Sequence, residues 1–120
     1  MQRTFTPHDQ QQFAQLSGDF NPMHLDPEIG ARLLFGSTVV HGVHGLLWAL
    51  ERGVACGLVS GRLKWLKTAF KHPIRVGETV RLLPDAHRPD STRLRLLLGE
   101  RVATTLHASR ETVVDPEHPL

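Results

Sequence analysis

Apolar and polar positions change rhythm several times along this chain, and each change predicts an element. Thr4-Phe5-Thr6 reads as a short edge strand that stops at Pro7. From His8 onward, Phe13, Ala14 and Leu16 recur at helical spacing behind an acidic Asp9, which predicts a short helix. Gly18 through Pro27 holds two prolines, two aspartates, an asparagine and a histidine, so it reads as a structured loop and not as helix or strand. Residues 28–35 suit a second short helix carrying Ile29, Leu33 and Leu34. Thr38-Val39-Val40 is extended by propensity, and His41-Gly42 breaks it.

The most apolar stretch runs from Val43 to about Cys56 and contains Leu46, Leu47, Trp48, Leu50 and Val54. Its charges, Glu51 and Arg52, come late, which predicts a helix buried nearly all round. After Gly57 the pattern turns strand-like: Leu63 to Lys71, Ile74 to Val76, Thr79 to Leu83 after a Gly77-Glu78 turn, Arg93 to Leu98, and Arg101 to Ala108 after Gly99-Glu100. These read as successive antiparallel strands with one wet face. A long apolar helix and a half-wet sheet each need an apolar partner, and a sheet wrapped around one central helix supplies both. The expected class is therefore α+β, with a hot-dog arrangement as the simplest version.

Length and composition narrow the picture. At 120 residues the chain has the size of one domain. We place that domain at residues 1–110, with a linker-like tail over 111–120 that carries Asp115-Pro116-Glu117-His118-Pro119. A chain this short buries only part of its surface alone, so a homodimer is expected. Hydrophobic residues at 40% and charged residues at 22% argue against wholesale disorder. No apolar run approaches the roughly 20 residues of a membrane span, and Met1-Gln2-Arg3-Thr4-Phe5 lacks the apolar core of a signal peptide. The expectation is a cytoplasmic protein without a membrane partner. Cys56 is the single cysteine, so neither an internal disulfide nor a cysteine-based zinc cluster can form.

Charge is unevenly spread. Residues 1–51 carry two basic and five acidic side chains, residues 52–110 carry twelve and four, and residues 111–120 add three acids, which returns the overall +2. The basic second half could attract nucleic acid, a phosphorylated cofactor or an acidic carrier protein. The plainer reading is alternating arginines on the wet face of a sheet. With no tyrosine and few aromatics, a stacking platform for single-stranded nucleic acid is not expected.

Two stretches concentrate polar chemistry beside apolar surface. In Leu16-Ser17-Gly18-Asp19-Phe20-Asn21-Pro22-Met23-His24-Leu25-Asp26, a carboxylate and an imidazole stand five residues apart on a segment that Pro22 stiffens and Gly18 lets turn sharply. Asp plus His is the smallest kit for moving a proton between water and a neighbouring carbon. The competing reading makes Asp19 and Asn21 loop-formers that cap backbone amides, with His24 packed by its ring. In Val39-Val40-His41-Gly42-Val43-His44-Gly45 an extended run passes into the apolar helix, whose first amides are unpaired and partly positive. Glycine there lets a carbonyl approach, which is the geometry of an oxyanion hole. The competing reading has Gly42 and Gly45 merely letting the helix cross the sheet closely. His24, His41 and His44 with Asp19 or Asp26 could be assembled into a metal site, but His41 and His44 span the point where the helix starts, so no metal is expected. Cys56 reads as a small core residue, and Ser17 and Ser37 lack a nucleophile motif.

Taken together, Phe13-Ala14-x-Leu16-Ser17-Gly18-Asp19-x-Asn21-Pro22-Met23-His24-x-Asp26 and Val39-Val40-His41-Gly42 resemble the MaoC-like dehydratases, which include the (R)-specific enoyl-CoA hydratases. Phe70-x-x-Pro73-Ile74-x-Val76-Gly77-Glu78-Thr79-Val80 is similar to the strand pair after the helix in that family, and the resemblance covers roughly residues 5 to 109. It implies a hot-dog fold, a homodimer, and an acyl thioester in a tunnel near the dimer interface. It implies reversible hydration of a trans-2-enoyl thioester to the (R)-3-hydroxyacyl thioester, without metal or redox cofactor, the acyl group being carried by coenzyme A or by an acyl carrier protein. The family's catalytic pair falls on Asp19 and His24, and the glycine whose amide binds the thioester carbonyl falls on Gly42. Asn21 and His41 are expected to support the pair, Asn21 as a loop organiser. Some members carry a serine in the central helix at about the position of Leu50, so that polar support is missing here. Trp48 and Trp65 could narrow the acyl tunnel or belong to the core. The competing functions are a non-catalytic acyl-binding subunit, a hot-dog thioesterase and, last, a basic nucleic-acid binder.

Overall fold

The structure is a computed structural model that describes residues 1–110, so the tail expected over 111–120 lies outside the described residues. In chain order the elements are β1 (Gln2–Thr4), α1 (Pro7–Ser17), α2 (Pro22–Leu25), α3 (Pro27–Arg32), α4 (Gly42–Ala55), β2 (Leu66–Phe70), β3 (Thr79–His87), β4 (Ser91–Leu98) and β5 (Arg101–Ser109). The strands form one antiparallel sheet in the order β1-β3-β4-β5-β2. β3, β4 and β5 follow each other directly, whereas β2 leaves α4 and runs to the far edge beside β5. The α+β hot-dog expectation holds.

Thr6 belongs to the start of α1 and not to the first strand. Its Oγ1 accepts from the Asp9 amide at 3.2 Å while Asp9 Oδ2 accepts from the Thr6 amide at 2.9 Å. This reciprocal cap contributes about 1 kcal/mol. Phe5, freed from the strand, is fully buried in the core. α1 buries Phe13 and Ala14 as the spacing predicts, but Leu16 is exposed and the third buried position is Gln10.

The segment expected as loop contains the one-turn helix α2, and α3 ends at Arg32, leaving Leu33 and Leu34 outside it. Ile74 to Val76 is not a strand: Arg75 forms an isolated bridge to Val39, and the Val40 amide donates to the Ile74 carbonyl at 2.7 Å. That bridge ties the start of α4 to the turn before β3.

α4 supplies Leu46, Trp48 and Ala49 to a core shared with Val80 and Leu82 of β3, Leu94 and Leu96 of β4, and Leu106 of β5. Each such fully buried aliphatic side chain stabilises the fold by roughly 1.5–3 kcal/mol. The helix is not buried all round, however. Val43, Leu47 and Val54 are 51%, 47% and 46% exposed, so its apolar surface exceeds what one sheet can cover. Cys56 ends the helix and is exposed, not a core residue, because the chain turns off the sheet there. Among the described residues no helix is long and apolar enough to cross a membrane.

Candidate active site

The loop that carries Asp19 and His24 is built by consecutive caps. Gly18 takes the left-handed conformation at φ 79° and closes α1 by donating its amide to the Ala14 carbonyl at 2.8 Å. A side chain is strained in that conformation, which is why glycine stands there. Ser17 Oγ then accepts from the Asp19 amide at 3.2 Å, Asp19 Oδ1 from the Asn21 amide at 3.1 Å, and Asn21 Oδ1 from the Met23 amide at 3.1 Å. The last bond caps α2, whose single turn carries His24. Asp19 is thus a loop-former through one carboxylate oxygen, and its other oxygen, Oδ2, stands 3.7 Å from His24 Nε2. The Asp19 side chain is half exposed, and that of His24 is nearly buried.

The His24 ring is oriented from elsewhere in the chain. Its Nδ1 lies 2.7 Å from the Val39 carbonyl, which can only accept, so the proton sits on Nδ1 and the lone pair of the neutral ring is on Nε2, toward Asp19. Gln10 secures the same arrangement: its side-chain amide donates to the Val39 and His24 carbonyls, both at 2.9 Å. His41 stacks on His24 with centroids 3.9 Å apart and donates from Nε2 to the Asp19 carbonyl at 3.0 Å. Burial, then the neighbouring His24, holds the His41 imidazole below the usual range, against the pull of Asp19. His41 therefore serves as a neutral ring that holds the Asp19 backbone.

His44 points away from this pair. It stacks on Phe13 at 4.4 Å and meets Phe5 edge-on at 4.8 Å. Burial, followed by the Arg3 guanidinium, depresses its pKa to about 4. Asp26 is occupied in capping α3 through the Glu28 amide. Among the described residues, the group able to hold a cation is Asp19, His24 and His41, whose ligand atoms lie within 4.8 Å of one another. With one nitrogen of each ring committed to a carbonyl, His24 Nε2 and His41 Nδ1 are the donors left.

A cleft of about 320 Å³, mostly apolar, is walled by Met23, His24, Phe35, Gly42, Phe70 and Ile74. Trp48 is buried in the core and Trp65 lies on the sheet beside His107, so neither narrows the cleft. Gly42 is the first residue of α4, and no side chain caps that end of the helix. A Cβ on Gly42 would meet the Phe70 ring at 3.0 Å, so any larger residue there crowds that ring. Leu50, two turns further along α4, packs against the core.

The structure brings Asp19, His24, His41 and Gly42 to one end of the cleft region and assigns Asn21 to the loop. Gln10 and Phe70 were not anticipated. Gln10 had a legible signal, since it shares a helical face with Phe13 and Ala14, where a polar residue needs buried partners. Phe70 had none, because its role depends on where β2 joins the sheet.

Comparison with known proteins gives a consistent family. The family described as "MaoC like domain" matches residues 1–88. A 3-hydroxybutyryl-CoA dehydratase of Methylorubrum extorquens is 31% identical over 113 residues, covering 88% of this chain and 65% of that protein. An (R)-specific enoyl-CoA hydratase of Aeromonas caviae is 39% identical over 71 residues, covering 57% of this chain and 52% of that protein. The solved (R)-hydratase from A. caviae involved in PHA biosynthesis superposes with a TM-score of 0.74 at 29% identity, covering 91% of this chain and 89% of that one. The chain thus spans less than two thirds of the length of both curated relatives.

Proposed function

The chain belongs to the MaoC-like domain family, and from that premise we propose that it hydrates trans-2-enoyl thioesters reversibly to (R)-3-hydroxyacyl thioesters. One observation carries the proposal: a carboxylate and the lone-pair nitrogen of a locked imidazole face each other across 3.7 Å beside an apolar cleft. That gap is too long for a direct hydrogen bond and suits a water held by both groups.

In the proposed reaction Asp19 Oδ2 accepts one hydrogen of the water and His24 Nε2 removes the other. The oxygen bonds to C3, the C2–C3 π pair moves toward the thioester carbonyl, and the Gly42 amide at the start of α4 stabilises the enolate oxygen. The imidazolium of His24, held beside the Asp19 carboxylate, then returns its proton to C2. One water is added across one double bond and no electrons are exchanged, so the step draws on no redox cofactor. The acyl chain lies along Met23, Phe35 and Phe70.

The same proposal includes a homodimer. β2 pairs with β5 alone among the described strands, which leaves its other edge open, and Phe70 and Trp65 at that edge are 54% and 40% exposed. An open strand edge is a ready template for pairing with a second copy.

The test follows loss of enoyl absorbance on crotonyl-CoA, with chiral analysis of the product, for the wild type, Asp19→Asn and His24→Ala. An (R)-3-hydroxy product, with a fall of about 10²–10⁴-fold in both folded variants, is the expected result for a lost acid–base group. Free thiol release by the wild type would instead make the protein a hydrolase. A folded wild type inert on enoyl thioesters of every chain length would make it a non-catalytic subunit.

A further inference from the structure

We propose that Thr104 determines acyl specificity: its hydroxyl selects enoyl thioesters whose acyl chain ends in a hydroxyl group over those that end in a methyl group. This rests on the thioester reading above and deepens it by naming the kind of acyl chain.

A buried polar side chain normally has a hydrogen-bond partner. Among the described residues the buried polar side chains are Gln10, His41, Thr92, Thr104 and Ser109. Gln10 donates to two carbonyls and His41 to one. Thr92 Oγ1 donates to the Leu58 carbonyl and meets His87 Nδ1 at 3.1 Å. Ser109 Oγ accepts from the amides of Lys64 and Trp65, at 2.7 and 3.1 Å. Thr104 is 3% exposed, and among the described residues its hydroxyl bonds to nothing. Nor is that oxygen sealed from solvent, as Gln10 Oε1 and His41 Nδ1 are. The little surface that Thr104 exposes lies in the apolar cleft beside His24.

Strand register puts the hydroxyl there. Thr104 of β5 stands opposite Phe70 of β2 on one side and Leu96 of β4 on the other. Residues directly opposite share a face of the sheet, and this is the face under α4. A Cβ on Gly42 would meet the Phe70 ring at 3.0 Å, and one on Gly45 would meet Ile74 and Leu96 at 3.6 Å. Thr104 thus lies beneath the first turn of α4, on the floor of a cleft whose walls include Met23, Phe35, Val40 and Ile74. β5 is an inner strand between β4 and β2, so the residue is not on the edge that a second copy would cover. Valine has nearly the same shape and would line the cleft without a polar atom. An acyl chain that enters the cleft takes the place of water against the hydroxyl, and a methyl end leaves that hydroxyl without a bond. A hydroxyl on the chain restores the bond. A carboxylate end fits less well, because the buried floor offers no cation and Lys71 of the lining is exposed.

Two matched pairs of trans substrates test this: 4-hydroxybut-2-enoyl-CoA with pent-2-enoyl-CoA, and 5-hydroxypent-2-enoyl-CoA with hex-2-enoyl-CoA. In each pair a hydroxyl replaces the terminal methyl. The wild type should favour the hydroxyl member of at least one pair about tenfold in kcat/KM, and Thr104→Val should abolish that preference. Urea unfolding separates this role from a structural one. Thr104→Val should be no less stable than the wild type, whereas Thr92→Val, which removes a bonded hydroxyl, should be less stable. Calorimetric binding of the saturated pair, 5-hydroxypentanoyl-CoA and hexanoyl-CoA, gives the same comparison without turnover. An active wild type with no preference in either pair, or a preference that survives Thr104→Val, would overturn the proposal. So would a Thr104→Val protein destabilised as much as Thr92→Val, which would make the hydroxyl structural. An equal loss of kcat/KM on all members would also overturn it, because the hydroxyl would then act on the part that all of them share. A binding preference that depends on Thr104, in a protein that hydrates no enoyl thioester, would leave the specificity standing and remove the hydratase. A protein that neither hydrates nor binds any of these thioesters would overturn both.

Discussion

The end of the molecule where the loop after α1 meets the start of α4 and the outer face of the sheet are both polar, yet they are organised in opposite ways. At the loop end, side chains are committed to backbone: Gln10 to two carbonyls, His24 and His41 to one each, Asp19 and Asn21 to amides. What is left for chemistry is one carboxylate oxygen and one nitrogen lone pair. On the outer face the side chains of Lys67, Arg93 and Arg88 are exposed and line open depressions. Substitutions at the loop end should therefore act through geometry and resist salt, whereas those on the sheet face should act through charge and fade as salt rises.

The difference can be broken hardest at Gln10. Gln10→Leu removes both donors and leaves the His24 carbonyl without its side-chain partner in a buried setting, so stability should fall by about 1–3 kcal/mol in urea unfolding. In the proposed hydration kcat should drop at least tenfold, equally at low and high salt. A fall in stability without the loss of kcat would reduce Gln10 to a purely structural residue.

His44 sharpens the comparison inside the loop end itself, since it lies three residues after His41 and does different work. Its folded pKa is depressed from 6.5 to about 4. Above pH 6.5 both folded and unfolded chains hold it neutral; as pH falls, the unfolded chain takes up a proton that the folded one refuses. Stability should therefore decline from pH 6.5 down to about 4, by roughly 1–2 kcal/mol once water contact at the half-buried ring is allowed for. Urea midpoints at pH 7 and 4.5 check this, and His44→Phe should flatten the decline.

The smallest effect is expected at Gly18. Gly18→Ala forces a side chain into the left-handed region although nothing lies within 4 Å of the added carbon. The cost is backbone strain alone, about 1 kcal/mol. A thermal melt should read it as a drop of a few degrees, with a modest loss of activity as Asp19 shifts.

How much of this was readable from the chain depends on distance along it. The caps that build the loop carrying Asp19 and His24 each join residues two to four positions apart, so Gly18, Asp19, Asn21 and His24 announce themselves. α4 was readable as a helix but not as half-covered, because an apolar count does not say how much sheet will lie against it. Cys56 was misread for the same reason. Gln10 was readable in principle from its position on the Phe13 and Ala14 face. The basic row was visible as charge, but its alignment was not, since Lys67 and Arg93 become neighbours only when β2 crosses to the far edge beside β5.

The sequence by itself determined most of the elements, the capped loop that carries Asp19 and His24, the glycine at the head of α4 and the family. These rest on short-range hydrogen bonds and on periodicity, which a few residues encode. Only the tertiary structure decided which nitrogen of His24 is free, which ring crowds position 42, and which cations stand side by side. Each depends on a partner brought from fifteen or more residues away, and packing of the core around α4, not local preference, chooses that partner.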